Sequence, residues 1–103
     1  MSDLPQILTK DIFQKWLSKE VNIHFTPDDI RTAQIVEVKA LTENKDSPRI
    51  PFSLTLLSSM TEAYYQQGTF KVVLPGEEEL FLFMVPIGVD SETGGMRYEV
   101  IFN

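Results

Sequence analysis

The sequence predicts a mainly β fold, a six-stranded antiparallel barrel or compact sandwich with one N-terminal α-helix. Three observations predict it. Apolar and polar residues alternate in six short runs, which is the period of half-buried strands. Turn-forming clusters of Pro, Gly and Asp separate most of the runs. Helical spacing occurs once, near the start. Closure would remove exposed sheet edges, which favours the barrel.

The helix is expected over about 10–19. Thr9 can cap it by accepting a hydrogen bond from an early amide. Asp11 places a negative charge at the positive end of the helix dipole, and Leu8 with Phe13 fits a hydrophobic staple. Ile12, Phe13, Trp16 and Leu17 line one face, with Gln14, Lys15, Ser18 and Lys19 largely on the other. The period then changes to two. A first strand, about 21–25, alternates Val21, Ile23 and Phe25 with Asn22 and His24, and ends at Thr26-Pro27-Asp28-Asp29. A second, about 33–41, is entered from Arg31. Its adjacent apolar pair Ile35-Val36 breaks the alternation and points to a bulge.

The polar stretch Thr42 to Pro51 holds two prolines and reads as an exposed loop. The third strand, about 51–57, alternates Phe52, Leu54 and Leu56 with Ser53 and Thr55. Ser58 to Gln67 has no clear period, and a short helical turn is expected around Thr61 to Tyr65. The fourth strand is placed at about 69–74. Gly68 is read as a glycine needed where a Cβ would penalise the backbone. Pro75-Gly76 suits the centre of a type II turn and makes a hairpin with the fifth strand, about 79–87. That strand is apolar at nearly every position, so burial on both faces is expected, with the helix as the second cover. Pro86 is read as an edge position or strand end. Gly88 to Gly95 forms a hairpin loop. The sixth strand, about 96–102, points Met96, Tyr98, Val100 and Phe102 to the core.

A length of 103 residues suits one domain, 1–103. Hydrophobic residues at 43% and charged residues at 23% exclude disorder. A net charge of −6 argues against binding a phosphate backbone and against a peripheral membrane role. The absence of cysteine excludes disulfides, cysteine zinc sites and thiol nucleophiles. The longest strongly apolar run, Leu80 to Val89, is half a membrane span, so no membrane insertion is expected. No Sec-type signal is legible. The default expectation is a soluble cytoplasmic protein, or one exported by a signal-less route.

No catalytic, cofactor-binding or metal-ligating residue can be assigned, and no cofactor is expected. His24, the single histidine, falls on the polar phase of a strand and is read as solvent-facing rather than as a base or ligand. Asp28-Asp29, Glu77-Glu78-Glu79 and Asp90-Ser91-Glu92 sit at predicted loop tips. They lack EF-hand spacing, and solvated tips are the simpler reading beside a hard-cation site. No nucleophile elbow, P-loop or dinucleotide fingerprint occurs, and Gly94-Gly95 is turn chemistry. Trp16 belongs to the helical stripe. Tyr64 and Tyr65, adjacent in an irregular connection, are the candidate interaction surface.

Several segments carry a resemblance as a set: Pro51-Phe52-Ser53-Leu54, Gln67-Gly68-Thr69-Phe70, Phe83-Met84-Val85-Pro86-Ile87-Gly88 and Tyr98-Glu99-Val100-Ile101-Phe102-Asn103, with Leu8-Thr9 and Phe13 before them. Together they resemble a family of small bacterial proteins known only as a domain of unknown function, over nearly the whole chain. The resemblance implies no activity, cofactor or catalytic residue. It implies an accessory place in a tail-like or extracellular assembly. The expected function is therefore a non-enzymatic structural or protein-interaction module whose partner is another protein or itself. A small-ligand-binding β-barrel is the alternative, against which stands the little volume that six strands leave inside.

Overall fold

The computed structural model describes residues 10–41, 51–76 and 78–102. The alternating runs form β1 (Glu20–Thr26), β2 (Asp29–Ala40), β3 (Phe52–Ser58), β4 (Gly68–Val73), β5 (Glu79–Val89) and β6 (Met96–Phe102). They pair antiparallel in the order β1-β2-β3-β6-β5-β4, and β4 returns to β1 to close a barrel. The sandwich is thereby ruled out. β2 starts earlier than expected because Pro27-Asp28 makes a tight turn and Thr26 already pairs with Asp29.

The helix, α1 (Lys10–Gln14), is shorter than the expected 10–19. Beyond Gln14 the chain tightens: the amides of Trp16 and Leu17 donate to Phe13 and Gln14 at 2.9 and 3.3 Å, one residue closer than α-helical bonding. Ser18 then turns back at φ 70°, the left-handed conformation that ends many helices. That reversal brings the Ser18 amide to the Ile35 carbonyl at 2.7 Å and the Lys19 carbonyl to the Ile35 amide at 3.1 Å. The proposed cap Thr9 and staple residue Leu8 lie outside the described residues, as do most of the 42–51 loop and Asn103.

Inward-facing side chains fill the barrel. Val21, Ile23, Ile35, Leu54, Leu56, Val72, Met84 and Tyr98 are all at most 1% exposed. The expected bulge in β2 is present. Ile35 pairs with Leu56 and Glu37 with Thr55, leaving Val36 as the extra residue. It changes the phase: Ala33 and Ile35 point inward before it, Val38 and Ala40 stand opposite the inward Leu54 and Phe52 after it. A second bulge interrupts β5 between Pro86 and Gly88. Pro86 pairs with Tyr98 inside the strand and is neither an edge nor a strand end. A closed barrel has no edge, and the bulge is where the ladder admits a proline.

Each end of the barrel has a stopper. At one, Phe13 is fully buried against Phe52 and Phe102, with ring centroids 5.8 and 5.2 Å away, and Trp16 packs edge-on at 5.7 Å. At the other, the connection from β3 to β4 buries Met60 and stacks Tyr65 on Phe25 at 4.7 Å. This connection contains no helical turn at 61–65. The Tyr98 hydroxyl replaces it as backbone partner, accepting from the Tyr65 amide at 3.0 Å and donating to the Tyr65 carbonyl at 3.1 Å. Gly68 has no left-handed φ. Its need is contact, since a Cβ there would come within 3.3 Å of the Phe70 ring.

The expected double burial of β5 is not observed. Phe81 and Phe83 are 71% and 53% exposed, because the short helix closes a barrel end and does not reach their face. The strand buried on both faces is β3, whose outward Ser53 and Thr55 are 3% and 5% exposed.

Candidate interaction surface on strands β4, β5 and β6

The outer face of β5 carries Phe81, Phe83 and Val85, since Leu82 and Met84 take the inward phase. Cross-strand pairing fixes their neighbours. On β4, Lys71 lies opposite Phe81 and Thr69 opposite Phe83. On β6, Glu99 lies opposite Val85, and the same register carried two residues further sets Ile101 level with Phe83. Ile101 is 47% exposed. The result is an apolar strip centred on Phe83, with an ammonium on one flank and a carboxylate on the other. The only ion pair of Lys71 among the described residues is Glu79 at 3.9 Å, the outer limit of such a contact.

Two features border the strip. Beside Phe81, an open hollow of about 400 Å³ is walled by His24, Thr26, Thr69 and Lys71. His24 is half-buried there and pairs across the strands with Lys71. Past Val85, the Arg97 guanidinium lies over the bulge, 3.5 Å from where a Cβ on Gly88 would stand. Its Nε is buried and has no hydrogen-bond partner among the described residues.

A separate polar cluster works as a clasp. Arg31 donates from Nε to Asp29 and from Nη2 to Glu62, each at 2.6 Å, and the Tyr65 hydroxyl donates to the other Asp29 oxygen at 2.6 Å. The Arg31 bond, then that of Tyr65, holds the Asp29 carboxyl below its usual range, and Arg31 does the same for Glu62. The hydrogen bond to Asp29 raises the Tyr65 hydroxyl, and burial raises that of Tyr98. The clasp ties the connection after β3 to the start of β2, and both Asp29 oxygens are engaged in doing so.

The acidic tips separate in space. Asp90 accepts from the amides of Glu92 and Thr93 and from the Thr93 hydroxyl at 3.1, 2.9 and 3.0 Å, bonds that lower its pKa with that of the Thr93 amide foremost. Asp29 belongs to the clasp, Asp28, Glu78 and Glu79 are exposed, and Glu77 lies outside the described residues. Among the described residues no three His, Cys, Asp or Glu side chains gather as a metal site. The tyrosine pair is divided: Tyr64 is 55% exposed, whereas Tyr65 is half-buried in its stack and clasp. Sequence reasoning missed Phe81 and Phe83 as surface residues. The sequence offered the helix as their cover, and its five residues are spent on closing a barrel end.

Fold and surface define a small closed β-barrel module with a side-chain-filled interior and an apolar strip on its outside. No helix among the described residues is long and apolar enough to cross a membrane. The chain belongs to the family described as Domain of unknown function (DUF6916), whose model matches residues 8–102, and a small domain-of-unknown-function family is what was expected. No curated protein and no solved structure matches the chain.

Proposed function

We propose that this domain is a non-enzymatic protein-interaction module that docks through the outer face of β5. The observation that carries this reading is the pair Phe81 and Phe83, side by side on one strand face and more than half exposed. Aromatic side chains grouped on a surface and rimmed by charges are the usual anchors of protein interfaces. Against a catalytic role, the hydrogen-bonded acids Asp29, Glu62 and Asp90 are each occupied in holding loops. The small-ligand alternative has open surface hollows such as the one beside Phe81, because Tyr98, Ile35 and their neighbours occupy the interior. The resemblance supplies the setting, an accessory place in a tail-like or extracellular assembly.

The test is a Phe81→Thr, Phe83→Thr double variant, which places β-branched residues of good strand propensity at exposed strand positions. It should melt cooperatively and retain near-UV circular dichroism while losing the proteins that co-purify with the wild type from its source cells. A double variant that captures the same proteins as the wild type overturns this surface. A small molecule retained by the wild type, seen in native mass spectrometry, would favour the alternative.

A further inference from the structure

Resting on that reading, we propose that the strip binds a second copy of this chain, in a symmetric dimer whose twofold axis passes through Phe83. The strip is its own complement. Glu99 lies one strand to one side of Phe83 and two residues along; Lys71 lies one strand to the other side and two residues the opposite way. The two charges are therefore diametrically placed about Phe83. A twofold axis in the plane of contact, perpendicular to the line joining them, lays Lys71 of each copy over Glu99 of the other. The same rotation sets Phe83 against Phe83 and Phe81 against Ile101. An isologous interface demands this reciprocity, in which residue i meets j and j meets i.

Area and charge agree with a reversible dimer. Phe81, Phe83 and Ile101 expose about 300 Å² of side chain per copy, somewhat under half of the roughly 800 Å² per partner of a standard interface. Val85, Thr69 and the stems of Lys71 and Glu99 form the rim. Each copy carries a net charge of −6, so two copies repel at a distance. The two reciprocal Lys71–Glu99 pairs put opposite charges where the copies touch, which fixes the register.

Sedimentation equilibrium should find a concentration-dependent dimer for the wild type. Lys71→Glu and Glu99→Lys should each weaken it about tenfold, and the two together in one chain should restore it to within about threefold, because the charges then exchange places across the axis. Restoration by a swap within one chain is specific to self-association. A readout independent of Glu99 uses the absence of native cysteine. Thr69→Cys, next to the axis, should be joined into covalent dimers by a short bis-maleimide, and Asn22→Cys, far from it on β1, should not. A wild type that stays monomeric to millimolar concentration overturns the dimer. So does a dimer whose double charge variant is as weak as the single ones, or that cross-links equally through both cysteines. If the wild type is monomeric while the Phe81→Thr, Phe83→Thr variant still loses its co-purifying proteins, self-association fails and the interaction module stands.

Discussion

Gly95 is the position where one added carbon should do the most damage. A Cβ there would stand 2.1 Å from the Ser58 carbonyl oxygen and 3.3 Å from its carbon. Nothing flexible can yield, because the obstacle is the backbone at the end of β3. Two bonds tie that end to β6: the Ser58 hydroxyl donates to the Met96 carbonyl at 2.9 Å, and the Met96 amide to the Met60 carbonyl at 3.2 Å. Making room for Gly95→Ala strains both, at about 1 kcal/mol each, and loosens the buried Met60 for about 1 kcal/mol more. The expected loss of about 3 kcal/mol is a large share of the roughly 5–15 kcal/mol that stabilises a domain. It should lower the melting temperature by roughly 10–20 °C. Gly76→Ala is the control. Gly76 has φ 89° but nothing within 4 Å of its Cβ position, so only the left-handed backbone penalises alanine there, by about 1 kcal/mol. Urea denaturation of both variants, with m unchanged, measures the difference. If Gly95→Ala is no less stable than Gly76→Ala, the close approach of β6 to β3 is wrong.

Three further outcomes are expected. Ser18→Gly should stabilise the protein by about 1 kcal/mol in the same assay, since Ser18 holds φ 70° without a glycine. The clasp should give an acid-sensitive contribution: Asp29 and Glu62 have lowered pKa values, so the unfolded state takes up protons first and stability falls as pH drops below the ordinary carboxylate range. Urea midpoints of wild type and Arg31→Leu should therefore differ at about pH 7 and draw together as pH falls below the ordinary carboxylate range, whereas a gap that does not narrow would contradict the clasp. A chain truncated after Tyr98 loses Val100 and the pairing of Phe102 with Phe52, and should show no cooperative unfolding transition.

Much of the fold was legible because strand signals are local. Alternation placed six strands with their boundaries a few residues off, and Ile35-Val36 announced a phase change that the β2 bulge carries out. Pro75-Gly76 announced the hairpin between β4 and β5, with Val73 paired to Glu79. The helix was overdrawn because a stripe of apolar residues fits a tight turn as well as a helix, and the reversal at Ser18 answers to the backbone of Ile35, distant in sequence. The helical turn at 61–65 failed for a similar reason, since the hydroxyl that replaces it belongs to Tyr98. The strip on β5 was not the surface read from the sequence, which named Tyr64 and Tyr65. Tyr64 is exposed as a surface residue must be, but nothing local marks Tyr65 as the neighbour that stacks on Phe25.

The sequence by itself determined a small β domain of six strands and one helical segment, and which residues of each strand share a face. The tertiary structure decided that the sheet closes, and which outward faces are covered. Ser53 and Thr55, polar, are buried; Phe81 and Phe83, apolar, are left to water. Alternation is a property of one strand and can be read along it. Cover is a property of what lies across from the strand, and β5 has a long apolar face that the five-residue helix, spent on plugging the barrel with Phe13, cannot reach. That mismatch of a covered polar face and a bare aromatic one marks the surface through which the domain is proposed to bind.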